Sequence, residues 1–374
     1  MKKTTILLIM CLLILTGCWD QDQLKETRLA VGVGYDDYDN GELFQTTDIR
    51  VPKLDSSGTG RPAVTSVIMH STGATPRQAR MNLEKEVAGN YAPNKVLVYI
   101  LGEELAKKDI YPILDVLYRY PRNSLSAKIV VANGRAEDIL SLKVVEEKLV
   151  SDALLKIIES AEDDTFIPRI SIQSVCPIIF NEGQDFGLPK VGRSDNDALK
   201  ITGLALFNGK KYTGIDLGED EASILLILNN EEIKMARFNL KVNPEEKRKI
   251  LQYVTVHVFT KRHDLKIKLS NNQQISAEVK IKLKVHVAAY PKDNLSSKKE
   301  LQTLTKKITE EFTRKAEHVI SETQRANCDY LGIGKHVQAY YPKTWAKLDW
   351  NQTYPTIKIT PKIQTQIIET GIIK

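Results

Sequence analysis

The chain has 374 residues, of which 42% are hydrophobic and 27% are charged. This composition excludes a disordered or fibrous chain and provides for two or three apolar cores. The formal net charge of +6 is too small an excess to indicate a nucleic-acid-binding protein.

The first residues have the pattern of an export signal. Two lysines precede an apolar run at residues 6–15, which is as long as a signal-peptide core and too short to span a bilayer. Small residues before Cys18 are typical of a bacterial lipoprotein, whose cysteine thiol carries diacylglycerol. We predict a signal peptide over residues 1–17, cleavage between Gly17 and Cys18, and acyl chains such as palmitate on Cys18. The alternative is an ordinary secretory signal with an accidental cysteine.

Strand and helix patterns alternate through the next part of the chain. Alternating apolar residues on both sides of Asn40-Gly41 predict a β-hairpin. Thr75-Pro76 predicts the start of a helix, and residues 109–120 present a second apolar helical face. Because strand patterns at 95–101 and 127–132 flank that face, we expect a βαβ unit.

The middle of the chain has fewer regular patterns. A helical pattern covers residues 136–158 and leads into a loop-rich stretch up to Gly192, where a domain boundary or an insert would fit. Asn208-Gly209 separates two strand patterns within residues 201–217. This dipeptide tolerates positive φ and predicts a tight hairpin.

Long strands dominate the last third of the chain. Apolar and polar residues alternate over 275–289, which indicates a strand with one buried and one wet face. Ser297 and Glu300 have the spacing of a capping box and open a helical stripe that continues to about Arg325. Pro361 interrupts the final strand pattern and favours an edge strand or a bulge.

These patterns predict an α+β protein of several domains, with mixed sheets and packed helices. The expected domains are an N-terminal α/β domain over 18–145, a middle α/β domain over 146–230 that contains the 201–217 hairpin, and a C-terminal α+β domain over 231–374. The C-terminal domain is expected to combine a long antiparallel sheet with a long helix.

No catalytic pattern stands out. The six histidines have no metal-ligand spacing, and the chain has neither a nucleophile elbow nor a phosphate-binding loop. Gly332-Ile333-Gly334 begins like a dinucleotide fingerprint, but Val337 takes the place of the third glycine. We therefore expect no enzyme, no metal and no cofactor.

The polar side of the 275–289 strand is basic. Contact with anionic lipid or with an acidic partner would explain Lys280, Lys282 and Lys284, with Lys266 and Lys268 nearby in sequence. The simpler interpretation is a solvated sheet face, because strand lysines also prevent edge-to-edge aggregation.

Two cysteines remain after the signal peptide and Cys18 are set aside. Cys176 and Cys328 would be in an oxidising compartment and could pair. The apolar surroundings of Cys176 favour buried free thiols instead.

Five short motifs together resemble those of one family. The chain resembles the Ger(x)C family of spore germination lipoproteins, the C subunits of nutrient germinant receptors, over its whole length. The motifs are Cys18-Trp19-Asp20, Gly102-Glu103-Glu104-Leu105-Ala106-Lys107, Gly203-Leu204-Ala205-Leu206-Phe207, Cys328-Asp329-Tyr330-Leu331-Gly332-Ile333-Gly334, and Tyr341-Pro342-Lys343-Thr344-Trp345 followed by Trp350. One departure is the short turn Asn208-Gly209-Lys210-Lys211, where the family often has a more charged one.

The resemblance implies a three-domain α/β structure without enzymatic activity, anchored through Cys18 to the outer face of the spore inner membrane. It also implies two integral-membrane partners, the germinant receptor A and B subunits, with which the lipoprotein assembles to enable nutrient-triggered germination. The alternative function is an extracytoplasmic solute-binding lipoprotein of a transporter. A lipid-anchored hydrolase would need a catalytic set that the sequence does not show.

Aromatic residues near the C-terminus have two interpretations. Trp345, Trp350 and Tyr341, together with Tyr340, would form a contact patch for a partner. Alternatively, they pack in the core, where large apolar side chains are more often found.

Overall fold

The computed structural model describes residues 27–53, 63–143, 149–232, 234–270, 274–293 and 295–371. These residues form two β-sheets with helices packed against them, and the predicted α+β fold class is confirmed. The first part of the chain builds the larger sheet and the last part builds the smaller one. Gly17 and Cys18 lie outside the described residues.

Nine strands of the described residues form the larger sheet. In chain order they are β1 Thr27–Asp37, β2 Leu43–Lys53, β3 Ala63–Gly73, β4 Asn90–Ala92, β5 Val98–Leu101, β6 Lys128–Ala132, β7 Gly187–Arg193, β8 Leu199–Asn208 and β9 Lys211–Leu217. Their order in the sheet is β3-β2-β1-β5-β6-β7-β8-β9, and β4 pairs with β1. The predicted hairpin at Asn40-Gly41 is confirmed, because β1 and β2 pair antiparallel across it.

Helices flank this sheet. They are α1 Pro76–Glu84, α2 Glu103–Ala106, α3 Tyr111–Arg119, α4 Ala136–Leu140, α5 Val150–Asp163, α6 Ile172–Ile179 and α7 Glu219–Leu228. The helix predicted at Thr75-Pro76 is confirmed, since the Thr75 hydroxyl accepts from the N–H of Gln78. The βαβ unit is also confirmed, because α2 and α3 lie between the parallel strands β5 and β6.

The prediction of one helix over residues 136–158 is wrong. The first helix ends at Leu140 and the next begins at Val150. Leu140 and Val150 are both buried in one apolar cluster with residues of β5 and β6. Both short helices therefore place their apolar residues in the same cluster on one side of the sheet.

The stretch up to Gly192 is more regular than its prolines suggest. Ser171 and Ser174 form a capping box that begins α6, and Pro177 lies inside this helix. Since the box fixes the first turn before the proline is reached, the segment is helical where a loop was predicted. Strand β7 then follows, with Pro189 in it.

The tight hairpin predicted at Asn208-Gly209 is confirmed. Asn208 pairs with Lys211 at the end of β8 and β9, and Gly209 has φ of 53°. A positive φ at this turn is the conformation that glycine adopts without steric cost.

The smaller sheet has four strands among the described residues. In sheet order they are β10 Ala236–Lys241, β11 Tyr253–Leu269, β12 Ile275–Ala289 and β13 Lys358–Glu369. The first three pair antiparallel, as expected for this domain, but β13 runs parallel to β12. The expectation of an edge strand at Pro361 is confirmed, because β13 closes one side of the sheet.

A long helix packs on the smaller sheet. This helix, α8 Lys298–Arg325, begins at the predicted capping box of Ser297 and Glu300. It buries Leu304, Ile308 and Phe312 in one apolar cluster with the strands. The chain returns to β13 through short helices, α9 Ile333–Tyr340, α10 Pro342–Trp345 and α11 Trp350–Thr353, so a helical crossover makes β13 parallel.

One apolar cluster connects the two sheets. It contains residues of β8 and β9, all of the buried side of α7, and the inner face of the smaller sheet. The larger sheet itself takes strands from both of the ranges 18–145 and 146–230, and the predicted domain limits stay a prediction. Among the described helices, none combines the length and the apolar character needed to cross a bilayer.

Candidate functional site

The motif at residues 328–334 lies where the two sheets meet. Asp329 is 1% exposed, and its carboxylate accepts hydrogen bonds from the backbone N–H groups of Ile333 at 2.9 Å and Gly334 at 2.7 Å. The indole Nε1–H of Trp350 donates a third bond at 3.2 Å. A buried carboxylate without such donors would be strongly destabilising. Asp329 therefore holds the start of α9 and positions Trp350 beside it.

Asp185, in the loop before β7, joins the larger sheet to this motif. One of its carboxylate oxygens accepts from the N–H of Asp329 at 2.8 Å, and the other accepts from the N–H of Gly209 at 2.6 Å. In return, the Asp185 N–H donates to the Asp329 carbonyl at 2.9 Å. We call Asp185, Gly209, Asp329, Gly334 and Trp350 the inter-sheet joint.

Burial controls the acidity of the joint. Desolvation raises the pKa of Asp329 to about 7 and the pKa of Asp185 to about 6, while the backbone N–H donors act in the opposite direction. The charge of Asp185 adds to the rise at Asp329. Burial also raises the pKa of the Cys328 thiol, which is fully buried beside them. Because backbone N–H groups donate to both carboxyl groups, the arrangement connects distant segments of the chain.

The glycines of the motif permit the close approach of these segments. Gly332 has φ of 65°, a left-handed conformation that places it just before α9. A Cβ on Gly334 would lie 2.6 Å from Cε2 of Trp350 and 2.8 Å from Cα of Gly183. The N–H of Lys335 donates to the Gly183 carbonyl at 2.7 Å. The sequence Gly332-Ile333-Gly334 is therefore explained by packing at the joint.

A second buried cluster lies within the larger sheet. Lys190 of β7 is 6% exposed, and its Nζ lies 2.7 Å from Asp216 and 3.3 Å from Glu103. The same Nζ donates to the Tyr212 hydroxyl at 3.1 Å, and that hydroxyl donates to Asp216 at 2.6 Å. We call these four residues the Lys190 cluster. Burial raises the pKa of Tyr212, which keeps the phenol protonated as a donor.

Two of the motifs singled out in the sequence meet at the Lys190 cluster. Glu103 belongs to the motif at 102–107, and its carboxylate also accepts from the N–H of Gly134 at 3.2 Å. The motif at 203–207 begins at Gly203, where φ is 152° and a Cβ would lie 2.2 Å from the Leu217 carbonyl oxygen. Both motifs therefore fix how the strands β7, β8 and β9 sit together.

Sequence reasoning missed Asp185 and Lys190. Asp185 lies in a glycine-rich loop, and its partners are distant in the chain. The burial of Lys190 could have been inferred from the sequence, since this residue lies between Pro189 and Val191 in a run of apolar strand residues. A lone lysine in a buried strand requires a carboxylate partner.

The predicted aromatic residues lie together around α9, α10 and α11. Trp350 is buried, and Trp345 lies against it with ring centroids 5.2 Å apart. Tyr341 and Trp345 are partly buried and pack on the apolar cluster of the smaller sheet. Tyr340 is 74% exposed. A partner contact at Trp345, Trp350 and Tyr341 stays a prediction, and Tyr340 is the most exposed of these four aromatic residues.

The two remaining cysteines are free thiols in the structure. Cys328 is buried, and its Sγ contacts the Phe186 carbonyl oxygen at 3.7 Å. Cys176 of α6 is partly buried. Within the part of the chain that the structure describes, no three side chains of histidine, cysteine, aspartate or glutamate are grouped to hold a metal ion.

Comparison with known families covers nearly all of the chain. Residues 20–193 match the family described as spore germination protein N-terminal domain. Residues 202–371 match the family described as spore germination B3/GerAC like, C-terminal. The two matches follow one another in the chain and meet near the start of β8.

Named relatives and a solved structure agree with these matches. Spore germination protein GerQC of Bacillus cereus is 21% identical over 373 residues, covering 99% of this chain and 99% of the relative. Spore germination protein KC of Bacillus subtilis (strain 168) is 24% identical, covering 98% and 95%. The crystal structure of the GerBC protein has a TM-score of 0.59 at 16% identity, covering 93% of this chain and 100% of that one. The last comparison supports the fold.

Proposed function

Because this chain belongs to the GerAC-like family of spore germination proteins, we propose that it is the lipid-anchored C subunit of a nutrient germinant receptor. The observation that carries the proposal is the match of both family regions in order along one chain. Full-length similarity to germination protein KC supports it. The proposed site of action is the outer face of the spore inner membrane.

Attachment to the membrane would depend on Cys18. The apolar run at residues 6–15 and the small residues before Cys18 support cleavage after Gly17 and acylation of the new N-terminus. Two or three acyl chains hold a protein at a bilayer far more stably than one does. We therefore propose a lipid anchor as the means by which this subunit stays at the membrane.

The proposed role is assembly with two integral-membrane partners, the A and B subunits. A tether confines the folded domains to the bilayer surface, so the effective concentration of the partners is high and a modest direct affinity suffices. Asp185 and Asp329, the two buried carboxyl groups with raised pKa, support a structural role. Their oxygens accept hydrogen bonds from backbone N–H groups. A role in signalling would further require that the partners bind this subunit differently in their resting and activated states.

The region of α9 and α10 is the proposed partner contact. Tyr340 is exposed, and the partly buried Tyr341 and Trp345 lie next to it in sequence with Trp350 beneath. Exposed aromatic residues on a fixed support are typical of interface centres. In this arrangement Trp350, a member of the inter-sheet joint, lies beneath the proposed contact and holds Trp345 in place.

The test is an affinity purification from gently solubilised spore membranes, with the bound proteins identified by mass spectrometry. We expect two integral-membrane subunits to co-purify with the tagged protein. Cys18→Ala should release the protein from membranes, or leave it unprocessed, and should reduce this recovery. Recovery of an ABC-type permease in their place would contradict the receptor proposal and support a solute-binding lipoprotein.

A matched pair of variants locates the contact. Tyr340→Ala removes an exposed aromatic ring from the proposed contact, and Phe180→Ala removes one from α6's end, where the ring is 60% exposed. We expect only Tyr340→Ala to lower the recovery of the partners. Equal recovery with both variants would exclude the α9 and α10 region as the contact.

A further inference from the structure

The outer face of the smaller sheet is basic. Helix α8 packs on the inner face, where the alternate residues of β12 are buried. Lys280, Lys282 and Lys284 point away from that core and are exposed. This face therefore presents the polar half of a regular alternation to its surroundings.

Few carboxylates balance this charge. Glu278 pairs with Lys280 at 3.2 Å and with Lys362 at 2.7 Å, and Asp264 pairs with Lys266 at 3.5 Å. Other exposed cations of the face have no carboxylate partner among the described residues: Lys241, Arg262, Lys268, Lys282, Lys284 and Lys358.

Four of these cations, Arg262, Lys268, Lys282 and Lys284, lie on β11 and β12, whereas Lys241 and Lys358 lie on the edge strands β10 and β13. Arg262 of β11 is directly opposite Lys282 of β12 in the strand register, and like charges in that position disfavour the folded state. Lysines that prevent aggregation are needed where a strand has an open edge. Lys282 and Lys284 lie on β12, which pairs with β11 and with β13 at both positions. In contrast, β10 pairs only with Tyr253–Val258 of β11, so Arg262 lies on an open edge among the described residues. Edge protection therefore does not explain Lys282 and Lys284.

A basic loop extends this face. Lys247, Arg248 and Lys249 are exposed, and Ile250 after them is 59% exposed. Lys249 and Ile250 line one cavity with Asn239 and Thr255, which are the outward residues of β10 and β11.

The acidic residues before this loop are already paired. Glu245 and Glu246 lie 3.3 Å and 2.7 Å from Lys292. The loop cations therefore add to the charge of the sheet. We call the unbalanced sheet cations, Lys247, Arg248, Lys249 and Ile250 the basic face.

We propose that the basic face binds the anionic phospholipid surface of the membrane. Its cations are spread over an open sheet and a loop, which matches a plane of lipid phosphates. The basic face has six cations on the sheet and three in the loop, and together they exceed the formal net charge of +6 of the whole chain. The remainder of the chain therefore carries a net negative charge, which an anionic surface repels. Such charge separation orients a protein on an anionic bilayer.

Ile250 gives this surface an apolar element. An exposed isoleucine flanked by cations enters the headgroup region while the lysines contact phosphate. The inference rests on the proposed function in one respect, because the lipid anchor on Cys18 supplies the standing proximity to the bilayer. The basic face then determines which side of the smaller sheet lies on that bilayer.

The test uses vesicles and a chain without acyl groups. Every described helix and strand lies within residues 27–369, so residues 18–374 with Cys18→Ser carry the complete fold. The co-sedimentation of this non-acylated chain is measured with phosphatidylglycerol vesicles, which are anionic, and with phosphatidylcholine vesicles, which have no net charge. We expect binding to the anionic vesicles alone, and a loss of binding between 0.1 M and 1 M salt, because screening shortens the range of the interaction.

Charge reversal identifies the face. Lys282→Glu with Lys284→Glu should weaken binding to phosphatidylglycerol vesicles at least about tenfold, since each cation near an anionic bilayer contributes to affinity. The matched control, Lys343→Glu with Lys347→Glu, makes the same charge change at exposed positions in the α10 region. We expect the control to bind within about twofold of the parent chain. Ile250→Ser should cause a smaller loss than the double reversal.

Three outcomes would overturn the inference. The first is equal binding to both kinds of vesicle, and the second is an equal loss of binding in the Lys282/Lys284 and Lys343/Lys347 variants. The third is a Lys282/Lys284 variant that binds vesicles as the parent chain does but no longer co-purifies the integral-membrane partners. The last outcome would assign the face to an acidic protein. The proposed function has a separate readout, because release of Cys18→Ala from membranes does not depend on the basic face.

Discussion

The inter-sheet joint and the Lys190 cluster both bury charge, and they stabilise it in different ways. At the joint, two carboxyl groups lie together, and backbone N–H groups and one indole donate to them. Within the described part of the chain no cation pairs with either group. In the Lys190 cluster, one cation is held by two carboxylates and a phenol. The joint thus connects segments by hydrogen bonds, whereas the cluster connects strands by charge.

This difference has a consequence for where each region acts. The donors at the joint come from the turn between β8 and β9 and from the segment between α8 and β13. Asp185 and Asp329 therefore fix this segment against the end of the larger sheet. The members of the Lys190 cluster all belong to the larger sheet or its adjoining helix. Damage to the joint should therefore loosen the contact between α9 and the end of the larger sheet, and damage to the cluster should loosen the larger sheet alone.

The largest effect is expected from Asp329→Ala. It leaves three buried donors without an acceptor, and at about 1–3 kcal/mol for each unsatisfied buried group the free energy of unfolding should fall by about 4 kcal/mol. Urea unfolding measures this. Asp329→Asn retains one acceptor oxygen and should lose less. The control Asp195→Ala, at an exposed position, should stay within about 0.5 kcal/mol, and an equally small change in Asp329→Ala would contradict the role of the joint.

Gly334→Ala tests the same joint by packing instead of hydrogen bonding. Its Cβ would lie 2.6 Å from Trp350 and 2.8 Å from Gly183, so α9 must move, at a cost of about 3 kcal/mol. We expect increased solvent exposure of the Trp350 indole, detected as a red shift in fluorescence. Gly218→Ala is the control, because its nearest atom would be 3.7 Å away in a flexible Glu221 side chain. Equal stability of the two variants would show that the close approach at Gly334 is unimportant.

The sequence was sufficient where a local signal determines the structure. The capping box of Ser297 and Glu300, the Asn208-Gly209 turn and the alternation along β12 each depend on neighbours within a few residues. Their predicted structures are confirmed. The break after Leu140 could not be predicted from the helical pattern, because it depends on how two segments reach the same side of a sheet.

The contacts of the inter-sheet joint could not be predicted either, because they also join segments that are far apart in the chain. The motif at 328–334 stood out as a string of residues, but its meaning lies in the contact with Asp185, which is 144 positions earlier in the chain. No periodicity or spacing links such distant residues. The parallel direction of β13 was missed similarly, because it depends on the path of the chain through α9, α10 and α11.

Lys190→Met should have a smaller effect than the joint variants. It removes the cation between Glu103 and Asp216, whose side chains are 22% and 35% exposed. Water can reach both carboxylates, so the loss should be about 2 kcal/mol, below the roughly 3–5 kcal/mol of a fully buried pair. Hydrogen exchange should show faster opening of β7 to β9 with the smaller sheet unchanged. Lys200→Met, at a 56% exposed partner of Glu219, is the control, and matching losses in both would show that burial of Lys190 is not important.

The smallest effect, counted per pH unit, is the pH dependence that the joint contributes to stability. The pKa values of about 7 for Asp329 and about 6 for Asp185 lie above the usual value of 3.8. Between these limits the two groups bind more protons in the folded state than in the unfolded state. Their contribution to stability is therefore fully present below about pH 4 and is lost as pH rises towards about 7.

The slope for one carboxyl group cannot exceed about 1.4 kcal/mol per pH unit. Urea unfolding of the parent chain and of Asp329→Asn between pH 5 and 7 isolates this contribution, since all other titrating groups are shared. The parent should lose about 1 kcal/mol more per unit than the variant. Parallel pH profiles would mean that the backbone donors, rather than burial, set the protonation of Asp329.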